Sequence, residues 1–125
     1  MPQTRIHDAH YLESRVWEEM ERCYRYGRSF SLLILHELPV PCDVPALRLD
    51  KALSIMAAQL RTTDIIAQLG PKTLAALLVE TGAEGALRAV ERLTTEIGPG
   101  WATKSMTFPT DSVAIEALPL LRVRT

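Results

Sequence analysis

The side chains with the clearest potential for metal or nucleophilic chemistry in this 125-residue chain are three histidines and two cysteines. His7 and His10 are three positions apart, a spacing that would let two imidazoles share one helical face as metal ligands. His36 and Cys42 would have to complete such a site, but no established metal-binding spacing joins the four. No local arrangement of serine or cysteine with histidine indicates an activated nucleophile. We therefore expect surface histidines, reduced thiols and no metal site.

Charge and hydropathy narrow the possible partners. Fourteen basic and fifteen acidic side chains give a formal net charge of -1, so no overall field favours nucleic acid or an anionic membrane surface. Arg22, Arg25 and Arg28 form a small basic group, but glutamates at positions 18, 19 and 21 interleave with it, which is typical of a solvated face of mixed charge. No apolar run approaches the roughly 20 residues of a membrane span, and the N-terminus lacks the apolar core of a signal peptide. These features predict a cytoplasmic protein without bound nucleic acid or membrane insertion.

The apolar pattern predicts one α/β domain over residues 1–125, with 47% apolar residues to build a single core. The elements follow the order helix, strand, helix, two strands, helix, strand. Their predicted positions are a helix at about 8–26, strand 30–35, irregular chain at 37–45, a helix from Pro45, a hairpin within 64–80, a helix after a capping box at 81–84 and strand 101–108. The tail from 113 predicts a short helix and then a strand at 120–123. The three helices carry apolar stripes at 12, 16, 20 and 23, at 49, 53, 56 and 60, and at 87, 90 and 97.

The hairpin has unusual chemistry in its turn. Two apolar runs, 65–69 and 74–79, read as paired strands on either side of Gly70-Pro71-Lys72-Thr73. Together with Arg61-Thr62-Thr63-Asp64 before it, this segment resembles the central hairpin of the GGDEF (diguanylate cyclase) family. Two further segments are similar to the family's first helix and strand and to a later aromatic-Pro-x-Asp turn; they span residues 11–35 and 107–111.

The resemblance implies a mixed central sheet with flanking helices, in a truncated nucleotidyl-cyclase-like architecture. It also implies a lost activity, because Gly70, Pro71, Lys72, Thr73 and Leu74 occupy the five places of the family's Gly-Gly-Asp/Glu-Glu-Phe turn. In active members, an aspartate at the end of the first strand and an acidic residue of the turn hold two divalent cations at the triphosphate of GTP.

The corresponding positions in this chain are unsuited to Mg²⁺, which prefers carboxylate oxygens. The position of the family's first-strand aspartate falls at or near His36. The acidic positions of the family's turn are occupied by Lys72 and Thr73. Glu37 offers a partial substitute for the first ligand. Pro71 removes a backbone N–H where phosphate would approach. Asp50 aligns with the family's guanine-reading aspartate, but that residue's asparagine partner has no counterpart. We therefore predict that the chain is not an enzyme and holds no cofactor.

Arg61 and Asp64 match the family's RxxD motif, which binds the product cyclic di-GMP away from the active site. The resemblance implies that the arginine would contact guanine O6 and N7 or a phosphate, and that the carboxylate would accept from guanine amines. A receptor would need a further cation, for which Arg88 and Arg92 are candidates. The alternative is a local ion pair worth about 0.2–0.5 kcal/mol.

The sequence therefore predicts an inactive GGDEF-like domain that acts through a protein partner or self-association in bacterial signalling. Two alternative hypotheses remain. The chain is a cyclic di-GMP receptor that uses Arg61 and Asp64, or it is a residual nucleotide-processing enzyme. Trp17, at the polar edge of the first helix, either caps the core or anchors a partner, because tryptophan is enriched at interface hot spots. We expect the core role.

Overall fold

The computed structural model describes residues 6–39 and 45–119, apart from the side chains of 45–47. The elements in this part of the chain are β1 (Ile6–Asp8), α1 (Ala9–Tyr26), β2 (Phe30–Glu37), α2 (Pro45–Gln59), β3 (Ile65–Gly70), β4 (Thr73–Leu78), α3 (Ala83–Ile97), β5 (Trp101–Phe108) and α4 (Ser112–Glu116). None of the described helices is long and apolar enough to cross a membrane.

The strands form one mixed sheet in the order β1-β3-β4-β2-β5. β1 runs parallel to β3, and the other neighbours are antiparallel. The mixed sheet with a hairpin inside 64–80 confirms the predicted fold class. Two features differ from the expected order: β1 precedes the first helix, and β2 continues through Glu37, where irregular chain was expected. β1 is only three residues long, too short to show a strand periodicity.

Each face of the sheet carries its own apolar cluster. Alternate residues of β2 point to opposite faces, so Leu32 and Ile34 pack with α1 while Leu33 and Leu35 pack with α2 and α3. β2 is therefore buried on both faces, which explains its nearly continuous apolar run. α4 adds Ile115 to the α1 side of the sheet.

Local signals set both ends of α1 as predicted. The Asp8 carboxylate accepts a hydrogen bond from the Tyr11 N–H at 2.9 Å, and Gly27 ends the helix in the left-handed region with φ 65°. The predicted apolar stripe at 12, 16, 20 and 23 is buried throughout. This helix is the part of the fold that the sequence specified most completely.

The start and the buried face of α3 differ from the predictions. Gly82 is the N-cap and makes no side-chain capping bond, so the capping box predicted at 81–84 is wrong. The Thr81 hydroxyl donates instead to the Val79 carbonyl at 2.9 Å. Leu87, predicted to face the core, is 58% exposed. The buried residues of this helix are Ala86, Ala89, Leu93 and Ile97. The predicted strand at 120–123 and Cys42 lie outside the described residues.

Candidate functional site

The hairpin turn (Gly70–Thr73) lies directly beside the end of β2. His36 pairs with Thr73 across the sheet, and its Nδ1 is 3.0 Å from the threonine hydroxyl. The Glu37 N–H donates to the Lys72 carbonyl at 2.9 Å. The fold therefore brings together the two segments that the resemblance requires for a metal site.

The side chains at this junction do not suit Mg²⁺. His36 and Lys72 are exposed to solvent and supply no oxygen ligand. Glu37 follows His36 in the strand, so its side chain points to the opposite face and is only 4% exposed. Its Oε1 lies 3.8 Å from Nη1 of Arg48. Within residues 6–39 and 45–119, no three His, Cys, Asp or Glu side chains are grouped to hold a metal ion.

Arg48 also ties the end of β2 to the start of β5. Its Nη1 donates to the Leu38 carbonyl at 3.1 Å, and its Nη2 donates to the Gly100 carbonyl at 2.6 Å. Gly100 has φ 109°, and a Cβ at this position would collide with the guanidinium of Arg48. The Glu37 carboxylate is therefore part of a packed structural junction and does not face the hairpin turn as a metal ligand.

Asp64 lies at the other end of the hairpin, buried to 4% exposure. Its Oδ2 accepts the Arg61 N–H at 3.0 Å, and its Oδ1 accepts the Val79 N–H at 3.3 Å. The Arg61 guanidinium adds weaker contacts to the two oxygens at 3.3 and 3.4 Å. Both oxygens of this carboxylate are thus occupied by groups of the protein itself.

Arg61 joins the same network but remains accessible. Its Nη2 donates to the Val79 carbonyl at 2.6 Å and to the Thr81 hydroxyl at 2.8 Å. The side chain is 56% exposed. Arg61 and Asp64 therefore fasten the β4–α3 turn (Val79–Gly82) to the chain before β3, a larger structural role than an isolated i,i+3 ion pair.

An open cleft of about 950 Å³ lies over this network. Arg61, Arg88 and Arg92 all line it, so the two candidate further cations share one cleft with Arg61. The acidic side chains that share the lining outnumber these three arginines by one, so the cleft has no net positive charge; they are Asp64, Glu80, Glu84 and Glu91. The cleft therefore offers guanidinium groups for an anion within a mixed field.

Glu80 is a charged centre that the sequence reasoning missed. It adopts φ 51° in the β4–α3 turn. Its carboxylate accepts hydrogen bonds from the guanidinium groups of Arg22 at 2.9 Å and Arg28 at 2.8 Å. Hydrogen bonds from Arg28 and Arg22 lower the pKa of Glu80. The bonds to Glu19 and Glu80 raise the pKa of Arg22. The only signal in the sequence was the group of arginines at and just after the end of α1, of which Arg22 and Arg28 reach Glu80, 58 and 52 positions along the chain.

The remaining candidate ligands are dispersed. His7 lies in β1, where its ring stacks on Tyr11 at a centroid distance of 3.8 Å, while His10 lies in α1. The interpretation that the two share a helical face is therefore wrong. Cys23 is a free thiol in the core, and its burial raises its pKa.

Comparison with known proteins rests on structure. No protein-family model matches the chain, and no curated protein matches it. A diguanylate cyclase protein from Thermotoga maritima superimposes with a TM-score of 0.78 at 18% identity, covering 86% of each chain. The GGDEF domain of DgcB from Caulobacter crescentus, solved with cyclic di-GMP, gives 0.63 at 11% identity, covering 86% of this chain and 72% of that chain.

This chain has a GGDEF-like fold.

A third neighbour has the same architecture in a complex. The diguanylate cyclase SiaD from Pseudomonas aeruginosa, solved with its activator SiaC, matches with a TM-score of 0.67 at 19% identity, covering 99% of this chain and 57% of that chain. SiaD is a diguanylate cyclase and the DgcB structure is a GGDEF domain, and both share this fold. At these identities the likeness concerns the fold, and the side chains at the hairpin turn and at the β4–α3 turn must carry any argument about activity.

Proposed function

We propose that this chain is a catalytically inactive GGDEF-like domain that serves as a protein-interaction or regulatory module in bacterial signalling. The observation that carries the proposal is the chemistry where β2 meets the hairpin turn. His36, Lys72 and Thr73 stand there, and the Glu37 carboxylate is buried beside Arg48.

We infer inactivity because phosphoryl transfer requires metal cations held at fixed positions. Metal ions neutralise the charge that develops on the phosphates, and carboxylates hold those ions in place. A lysine ammonium in the turn repels a divalent cation. Pro71 has no N–H to offer a phosphate. The residues present at this junction therefore do not fit the two-cation site of a cyclase.

Incubation of the protein with GTP and Mg²⁺ or Mn²⁺, followed by chromatography of the nucleotides, tests the proposal. We expect no cyclic di-GMP, while a diguanylate cyclase run in parallel forms it. Product that appears with this chain and is lost in Glu37→Ala would overturn the proposal in favour of a residual enzyme.

An interaction role is supported by the structural neighbour SiaD, which was solved with an activator protein. We expect the tagged protein to retain a specific protein from an extract of its native host. Sedimentation of the purified chain distinguishes a foreign partner from self-association. A strictly monomeric chain that retains nothing specific would contradict the interaction role.

The second candidate function is a cyclic di-GMP receptor at Arg61 and Asp64. The cleft that gathers Arg61, Arg88 and Arg92 favours it, as does the neighbour DgcB solved with that ligand. The occupied oxygens of Asp64 oppose a direct contact to guanine, because Val79 and Arg61 already use them. A ligand at this cleft would therefore depend on the guanidinium groups more than on the carboxylate.

Calorimetry with cyclic di-GMP tests the receptor. The receptor predicts binding that Arg61→Ala weakens by about tenfold or more, and that Arg25→Ala on α1 leaves unchanged. Absence of heat at high micromolar ligand, or binding that Arg61→Ala does not alter, would exclude this candidate.

A further inference from the structure

A second groove lies on the opposite face of the sheet from α3, between α1 and α4. It has a volume of about 600 Å³. Trp17 and Met20 of α1 line one wall, and Phe108 and Pro109 line the end of β5. Trp17 is half-buried and packs against the core beneath, so its expected core role is confirmed in part, with one side of the residue lining the groove.

The two helices that form the groove each carry a strongly exposed apolar side chain. Tyr24, on the α1 wall, is 86% exposed, and Val113, on α4, is 81% exposed. Tyr24 lies two helical turns after Trp17, which places the two aromatic side chains about 10 Å apart along α1. A protein segment laid along the groove would cover Tyr24 together with Trp17, and exposed apolar side chains of this kind are typical of surfaces that bind protein.

The charged side chains that line this groove all have one sign. Every charged side chain that lines it among the described residues is a glutamate: Glu18, Glu21 and Glu116. Arg15 contacts Glu18, and Arg25 contacts Glu21, each at 2.9 Å. The Arg25–Glu21 pair is exposed and contributes little to stability, whereas Arg15 is only 25% exposed and also lies 3.6 Å from the buried Glu19. The cleft over the β4–α3 turn differs, since arginines line it as well.

We propose that this groove binds a basic amphipathic segment of a protein partner. An apolar side chain of that segment packs against Trp17 and Phe108, and its arginines or lysines lie beside the three glutamates. The proposal rests on the interaction role proposed above and names the surface and the partner chemistry for it. Charge complementarity decides between occupants, because an anionic nucleotide would be repelled here and a second copy would have to present a basic apolar surface.

The test uses a synthetic helical peptide of about 15 residues, with leucines on one face, arginines beside them and no aromatic residue. Calorimetry measures its affinity for the full chain. In a Trp101→Phe variant, Trp17 is the single tryptophan, and its emission reports occupancy of the groove. We expect saturable binding, a shift of the Trp17 emission and weaker binding as sodium chloride rises from about 50 to about 500 mM.

Two triple variants form a matched pair. Glu18→Gln, Glu21→Gln and Glu116→Gln together remove the charge of the groove. Glu84→Gln, Glu91→Gln and Glu96→Gln make the same change of net charge on α3, at the other face of the sheet. We expect the first set to weaken binding of the peptide by about tenfold or more. The second set should weaken it by less than about twofold. Circular dichroism of each variant confirms that it is folded.

Apolar anchoring has its own test. Tyr24→Ala removes an aromatic side chain from the groove without a change of charge and is expected to weaken binding by about threefold to tenfold. A peptide with glutamates in place of the arginines should not bind.

Three outcomes would overturn the proposal: no binding of the basic peptide, equal loss in both glutamate triple variants, or a dimer of the chain that Tyr24→Ala dissociates. The last would assign the groove to a second copy. If the peptide does not bind and the GTP assay still yields no cyclic di-GMP, the inactive-domain proposal stands and its partner binds at another surface.

Discussion

The two turns that flank β4 are held in very different ways. The hairpin turn before the strand has exposed Pro71 and Lys72, and its ties to β2 are the Lys72 carbonyl and the contact between Thr73 and His36. The β4–α3 turn after the strand is bound by side chains from four different segments: Arg22, Arg28, Ser31, Arg61 and Asp64. The charged network thus concentrates at the turn remote from the place where GGDEF cyclases carry their signature.

A charged residue at a familiar motif position therefore need not bind a ligand. The two carboxylate oxygens of Asp64 accept hydrogen bonds from the backbone N–H groups of Arg61 and Val79. A buried carboxylate requires such partners, because leaving it unsatisfied costs several kcal/mol. The side chains of the hairpin turn hold no comparable buried network, so substitutions there should change the stability of the fold little.

The largest effect should come from Asp64→Ala, which leaves two backbone N–H groups without their acceptor. We expect a loss of about 2–4 kcal/mol in the free energy of unfolding, measured with urea. Asp50→Ala, at an exposed position of α2, is the control and should change little. A loss below about 1 kcal/mol for Asp64→Ala would remove the contrast between the two turns.

Next in size should be Gly100→Ala, at the junction between the end of β2 and the start of β5. The new Cβ would collide with the Arg48 guanidinium at a backbone φ of 109°. We expect a loss of about 1–3 kcal/mol in the free energy of unfolding. Gly98→Ala serves as the matched glycine control, because Gly98 also has a positive φ, 81°, but a Cβ there would meet no atom within 4 Å. Equal losses in the two variants would show that Arg48 does not constrain this junction.

A smaller, pH-dependent effect should follow from Glu80→Gln. Arg28 and Arg22 lower the pKa of Glu80, so its carboxylate stabilises the fold above the unfolded-state pKa of about 4.3. That contribution is lost as pH falls through the lower folded-state pKa. The urea midpoint of the native chain should exceed that of Glu80→Gln at neutral pH, and the gap should close in acid.

The control for this pH series is Glu96→Gln on α3, which should show no such gap. A gap between the native chain and Glu80→Gln that stays constant down to about pH 3 would contradict the role assigned to the two arginines. The gap should also narrow at high salt, since the carboxylate is exposed.

The smallest effect should come from Lys72→Ala in the hairpin turn. The Lys72 carbonyl accepts the Glu37 N–H, and a change of side chain leaves that bond in place. We expect a change within about 0.5 kcal/mol in the free energy of unfolding. A loss approaching that of Asp64→Ala would mean that the two turns are equally constrained.

Local patterns predicted much of the fold. The caps of α1, its buried stripe and the hairpin within 64–80 all follow from residues that are neighbours in the chain. β1 was missed because its pairing with β3 joins residues 60 positions apart, as in Ile6 with Ile66. Leu87 was misplaced because the small side chains of Ala86 and Ala89 allow α3 to pack with its neighbouring stripe inward.

At the candidate sites, residue identity alone determined what chemistry was possible. A turn containing Pro71, Lys72 and Thr73 cannot supply carboxylates in any conformation, and Arg61 with Asp64 allowed either a ligand contact or an ion pair. Tertiary structure decided how the charges were used. It turned Glu37 toward Arg48 and gave Glu80 two arginine partners. Such pairings depend on which distant segments meet across the sheet, and no local spacing in a sequence records that.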